Sequence, residues 1–268
     1  GQTRNLFIQM PTGKECTQQD PCPVMVYLHG GDEHIEESAE NGTLSAIEEA
    51  WMKVTRGGLM RHAQEADCGP KLRSVLVFPQ LSVNESWTTD GPQLLHDFVV
   101  RIIKEHIDGP EEGYWDMNNI ALVGYSEGGI GALHASTLYP HIFSLIVAAA
   151  PNRPRDEGGA DWKLEESPQF ALDNWKLKSV VTTFGSEDKV SDPKQGLSRV
   201  LEELLRTGVT ERSNLFARIY KGKGHVHWDQ LFNQWSVLHE SLWLGATTYL
   251  TAPRHDFAQL ANFTRKAS

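Results

Sequence analysis

Short apolar runs recur along the chain, separated by longer stretches in which apolar residues return every three or four positions. The runs at residues 6–10, 24–28, 75–78, 120–123, 145–149, 180–184 and 215–220 predict seven strands. Several are near-continuous Val, Ile and Leu with little alternation, as in strands buried on both faces. Residues 94–107 place Leu94, Leu95, Phe98, Val99, Ile102 and Ile103 on one broad face and predict a helix. Further helices are predicted over residues 127–139, 194–207 and 229–243. Strands and helices in alternation predict an α/β fold, with a mostly parallel central sheet and helices on both faces.

Two connections exceed what a compact α/β unit needs. Residues 32–73 are predicted to include a helix over 44–54. Residues 151–179 are rich in Pro, Gly and charge and carry Trp162 and Trp175. Both would emerge at the carboxyl edge of the sheet, as pocket walls or a small lid, or as plain surface decoration. No repeat, low-complexity tract or linker divides the chain, so residues 1–268 read as a single domain.

Composition narrows the partners. Lys and Arg number 25 against 35 Asp and Glu, a formal charge of −10. Nucleic acid and anionic membrane reward clustered Lys and Arg, so neither is expected as the main partner. No apolar run approaches the roughly 18 residues of a membrane-spanning helix, which predicts a soluble chain. Cys16 and Cys22 bracket a short polar loop, and Cys68 stands alone. Without a C-x-x-C pair no cysteine zinc site is predicted, while a Cys16–Cys22 disulfide would accompany secretion. Asn41, Asn84 and Asn262 head glycosylation sequons, close to the number chance provides. The first residue is Gly1, which leaves a removed signal peptide and a trimmed chain both open. Compartment and oligomeric state stay unresolved at this level.

The sharpest chemical signal is Gly124-Tyr125-Ser126-Glu127-Gly128, an apolar strand running through G-x-S-x-G into a helix. A strained strand-to-helix turn projects a nucleophilic Ser above the sheet edge and needs small residues two positions before and after it. The new helix then points its N-terminus at the developing oxyanion. A hydroxyl nucleophile needs a base, and the base an orienting acid, in the chain order Ser, acid, His. Asp188, three residues past the Gly185 that ends a later strand, is the predicted acid, with Glu187 and Asp192 as fallbacks. His225, directly after the Gly222–Gly224 turn, is the predicted base, preferred over His227. Oxyanion donors are predicted from Glu127 and from Gly31 or Asp32, in the His29-Gly30-Gly31-Asp32 loop after the second strand. Tyr125, Trp87 and Trp228 are candidate pocket residues. No P-loop, G-x-G-x-x-G after a strand or H-E-x-x-H is present, so neither metal nor organic cofactor is expected.

Together these motifs resemble the α/β-hydrolase superfamily, over residues 6–243. The closer likeness is to its compact serine esterases: carbohydrate-esterase and feruloyl-esterase-like enzymes, polyhydroxybutyrate-depolymerase-like proteins and the phospholipase/carboxylesterase-like predicted peptidases. Leu28-His29-Gly30-Gly31, the Trp87 segment, residues 114–120 before the elbow, Tyr139-Pro140, Gly185-Ser186-Glu187-Asp188 and Gly224-His225 carry it. The resemblance implies Ser126, Asp188 and His225 as a catalytic triad acting on a small-molecule or oligomeric ester through an acyl-enzyme. A peptidase, thioesterase or lactone hydrolase would use the same triad. A lyase or acyltransferase, or a non-catalytic binding protein, could share the fold. Glu127 departs from the apolar or amide residue many relatives carry after the nucleophile. With Asp32 and Glu33 it predicts an acidic rim, which disfavours an anionic substrate. Residues 32–73 also lack the G-E-R-G-like pattern of the predicted peptidases.

Overall fold

A computed structural model describes residues 6–11, 16–34, 74–82, 84–87, 115–138, 142–151, 179–206 and 215–226. Seven strands form one sheet: β1 (Leu6–Gln9), β2 (Cys22–Leu28), β3 (Val75–Pro79), β4 (Trp115–Tyr125), β5 (Leu145–Ala149), β6 (Ser179–Gly185) and β7 (Leu215–Tyr220). They lie in the order β1-β3-β2-β4-β5-β6-β7. β1 runs antiparallel to β3 and every other neighbouring pair is parallel.

The near-continuous apolar runs become strands with both faces covered. On β2, Val24, Val26 and Leu28 join one buried cluster, while Met25 and Tyr27 join the other. Every residue of β3 and β5 is buried. On the first face pack α1 (Glu127–Leu138) and α2 (Pro193–Arg206), through Ile130 and Leu133 and through Leu197, Val200 and Leu204. α2 is amphipathic, with Pro193 at its first position, where the missing N–H costs nothing. α1 is buried almost all round. Its Ser136 and Thr137 hydroxyls donate to the Leu133 and His134 carbonyls, so they lie in the interior without orphaned donors.

Three strand starts lie earlier than the apolar runs predict, that of β6 by the single residue Ser179. β4 begins at Trp115, because Asp116 and Asn119, which interrupt the apolar pattern, sit in a bulge rather than ending the strand. The pairing with β2 jumps there, from Pro23 opposite Asp116 to Val24 opposite Ile120. Pro23, which has no N–H for the ladder, occupies that irregularity. β2 begins at Cys22, which forms a disulfide with Cys16 at a Cα separation of 5.3 Å. The helices predicted at 44–54, 94–107 and 229–243 lie outside the described residues, as does nearly all of 32–73 and 151–179. Among the described residues no helix is long and apolar enough to cross a membrane.

The parallel strands aim their carboxyl ends at one edge of the sheet. The segments after β2, β3, β4, β6 and β7 therefore meet there.

Candidate active site

At the end of β4, Ser126 adopts φ +54°, the left-handed region that a side chain enters only under constraint. The constraint comes from both sides. The Ser126 N–H donates to the Ala149 carbonyl of β5 (2.9 Å), and its own carbonyl accepts from Gly129 (3.0 Å) and Ile130 (3.3 Å). A Cβ on Gly124 would strike the Gly128 carbonyl, and one on Gly128 the carbonyls of Leu28 and His29. The two glycines therefore let strand, turn and helix close this tightly.

The His225 ring lies over this turn. Its Nε2 is 2.9 Å from Ser126 Oγ and its Nδ1 is 2.8 Å from Asp188 Oδ2. An ionised carboxylate only accepts, so Nδ1 carries the hydrogen and Nε2 receives the Ser126 hydroxyl. The other Asp188 oxygen accepts the N–H groups of Val190 and Ser191, each at 2.8 Å. Burial pushes the Asp188 carboxyl up, but the bonds from His225, Ser191 and Val190 outweigh it and hold the group below the ordinary carboxylate range.

The loops that carry Asp188 and His225 are bolted together. The Ser186 N–H donates to Tyr220 (3.0 Å), the Glu187 N–H to Lys223 (2.8 Å), and the Gly222 N–H to Ser186 Oγ (2.8 Å). A Cβ on Gly185 would strike the Lys223 and Gly224 carbonyls, so this position needs glycine. Glu187 is exposed. Asp192 accepts the Lys194 N–H at the start of α2 (2.8 Å), a capping role. His227 and Trp228 lie outside the described residues.

After β2 the chain makes a 3₁₀ turn, Gly31–Glu33. The Gly30 N–H donates to Glu33 Oε2 (2.9 Å) and the Glu33 N–H to the Gly30 carbonyl (3.1 Å). The Gly31 and Asp32 N–H groups open the turn, and the Glu127 N–H opens α1, positions with no acceptor inside the helix. A Cβ on Gly30 would lie 3.5 Å from Ser126 Cβ, so this turn abuts the elbow directly.

His29 anchors the turn from below. Its Nε2 accepts the Leu81 N–H (3.0 Å), which fixes the hydrogen on Nδ1, where it donates to the Gly30 carbonyl (2.8 Å). Burial lowers its pKa to about 4, so the ring is neutral. The Trp87 indole N–H donates to the His29 carbonyl (3.0 Å). Trp87 is fully buried, with its Cβ packed on Gly131, and so braces the turn rather than lining a pocket as the sequence suggested. Tyr125 is half-buried with its ring 5.2 Å from His225, at the mouth of the site.

The acidic rim is thinner than expected. Asp32 is exposed, but Glu127 is buried and bonded to Trp87 N–H, and Glu33 turns inward to Gly30 and the Tyr27 hydroxyl (3.3 Å). Burial pushes the Glu33 carboxyl up to about 7, against the bonds from Gly30 and Tyr27. The roles of His34, Ser86, Ser191 and Glu33 had no motif to announce them.

A family model described as "Putative esterase" matches residues 1–237. No curated protein matches. Among solved structures the chain is similar to a thermostable esterase (TM-score 0.54, 18% identity). That match covers 92% of this chain and 58% of that one, so this chain spans under two thirds of that protein's length. It is similar to S-formylglutathione hydrolase FrmB from Staphylococcus aureus (TM-score 0.52, 16% identity, 88% of this chain and 89% of that one). A ferulic acid esterase from Anaeromyces mucronatus, solved with ferulic acid, is also similar (TM-score 0.51, 18% identity, 87% and 83%). At these identities the likeness shows the fold, that of the α/β-hydrolases.

Proposed function

The chain belongs to this esterase family, and on that premise we propose that it cleaves a carboxylic ester with Ser126 as nucleophile, His225 as base and Asp188 as the acid that orients it. The hydrogen-bond chain from Ser126 Oγ to His225 Nε2 (2.9 Å) and from His225 Nδ1 to Asp188 (2.8 Å) carries this reading. His225 takes the Ser126 proton as Oγ attacks the ester carbonyl. The N–H groups of Glu127 and of Gly31 or Asp32 hold the oxyanion. Asp188 keeps the imidazole in the productive tautomer and stabilises its charged form. The tetrahedral intermediate collapses as His225 gives its proton to the leaving alcohol, which leaves an acyl group on Ser126. His225 then takes a proton from water as the oxygen attacks the acyl carbonyl, and the second tetrahedral intermediate collapses as His225 returns that proton to Ser126 Oγ and the acid is released.

On this reading residues 1–268 act as one domain. Substrates are neutral or carry an apolar acyl group, since Asp32 is the exposed acid beside the turn and Tyr125 the aromatic ring beside His225. The test is labelling by a fluorophosphonate with intact-mass detection, alongside hydrolysis of a panel of short-acyl, long-acyl and aromatic esters. Wild type should gain one adduct and Ser126→Ala none, with kcat falling about 10⁶-fold. Undiminished hydrolysis by Ser126→Ala would sink the proposal.

A further inference from the structure

Glu127 presents a physical conflict. Its backbone N–H opens α1 toward the proposed oxyanion, yet its side chain puts a carboxylate beside the same spot, where negative charge opposes the charge that develops in the reaction. The side chain is also only 5% exposed, so it has given up water. Such a group persists where its acceptor oxygens do something an apolar residue would not.

Those bonds join three segments. Oε1 accepts the Trp87 N–H (3.2 Å), the Ser86 hydroxyl donates to the same carboxylate, and Oε2 is 3.4 Å from His34 Nε2. His34 closes the 3₁₀ turn that carries Gly31 and Asp32, and its ring stands edge-on to His29 at 5.1 Å. Gly31 lies against the carboxylate, since a Cβ there would be 3.3 Å from Oε2. Burial pushes the Glu127 carboxyl up, and the bonds from His34 and Ser86 more than reverse it, so the group is ionised.

We propose that the Glu127 carboxylate, clamped to His34, Ser86 and Trp87, is a positioning residue that sets the separation between the two halves of the oxyanion hole, the Glu127 N–H on α1 and the Gly31/Asp32 N–H groups on the turn. The inference rests on the reading of Ser126 as nucleophile and deepens it. Removing either side of the clamp leaves nucleophile, base and acid in place but loosens the donors, a loss felt in the tetrahedral state rather than in substrate binding.

The test compares Glu127→Ala, Glu127→Gln and His34→Ala with wild type, reading kcat and KM for one ester, affinity for an alkyl boronic acid that forms a tetrahedral adduct on Ser126, and melting temperature. Glu127→Ala should lower kcat by about 10²-fold, the scale of one lost oxyanion donor, with KM little changed. Boronate affinity should fall by the same factor as kcat/KM. Glu127→Gln, which still accepts from Trp87 and Ser86, should recover most of the loss. His34→Ala, which leaves the buried carboxylate its other partners, should cost about tenfold, in proportion to a modest misplacement of the donors. If Glu127→Ala does not fold, His34→Ala alone decides. Unchanged kcat and boronate affinity in folded His34→Ala, or a melting shift without change in kcat, would overturn the clamp. Failure of wild type to take fluorophosphonate or boronate would instead overturn the reading of Ser126 itself.

Discussion

Asp188 is the residue whose environment most clearly serves another residue. Three donors converge on its carboxylate, two from backbone and one from His225. In Asp188→Asn the amide must either face His225 with an N–H or turn it against the Val190 and Ser191 N–H groups. Two backbone donors outweigh one for the single remaining oxygen, so the amide N–H faces His225; the imidazole loses its orienting acceptor, and kcat should fall about 10⁴-fold with KM little changed, as measured on an ester that wild type turns over. Glu33 gives a prediction of opposite electrostatic sense. Its carboxyl titrates near 7 in the folded chain against 4.5 ordinarily, so the native state binds more protons between those values and loses stability as pH rises through them. His29, lowered to about 4, acts in the reverse direction between that value and 6.5, so the comparison must be between variant and wild type. Glu33→Gln should gain stability relative to wild type as pH is raised from 4.5 to 7, read from urea midpoints at each pH. Asp188 and Glu127, both held low, act below this window: their stabilisation is lost only as pH falls through their lowered values. At this scale the meeting of Ser126, Asp188 and His225 at one place was legible because the strand-turn-helix string and chain order constrain them. His34, Ser86 and Glu33 were not, because their meaning lies in contacts between loops that no local pattern encodes. Trp87 was misjudged for the same reason: an aromatic residue near a site reads alike whether it lines the pocket or supports it.

Among the elements, the strands were the most legible, since burial on both faces demands an unbroken apolar run. β5 and β7 match the predicted bounds, β1 ends one residue short of them, and the others extend them. β4 shows why: a bulge absorbs its polar stretch, and a bulge leaves little trace in hydrophobicity. α1 is a helix its pattern undersold, with small residues packed on β2 and Trp87 where an amphipathic stripe would be looked for. The loop pair after β6 and β7 yields an element-scale prediction. Gly185→Ala puts a methyl group into the Lys223 and Gly224 carbonyls, and the base loop has to move to admit it. A shift of that kind can cost about 10²-fold in rate, so kcat should fall while Ser126, Asp188 and His225 are all retained, and far-ultraviolet circular dichroism should stay unchanged.

For the molecule as a whole, the fold class followed from strand and helix alternation, while the disulfide did not follow from cysteine spacing alone. Cys16 and Cys22 close a short loop at the start of β2. By loop entropy its reduction should cost about 2 kcal/mol, checked by the denaturation midpoint with and without reductant, or in Cys16→Ser. The sheet order has a further consequence. Ser126 follows β4, inside the block β1 to β5, whereas Asp188 follows β6 and His225 follows β7, in the other block. The two blocks share the five-residue ladder from Leu145–Ser179 to Ala149–Thr183, with bonds from Ala150 N–H to Thr183 and from Ser191 Oγ to the Ala150 carbonyl. A chain divided between residues 151 and 179 would leave Ser126 in one fragment and Asp188 and His225 in the other. If the proposed mechanism holds, ester turnover would then count fragment pairs that have rejoined along that ladder, a split reporter whose signal is silent until its two pieces meet.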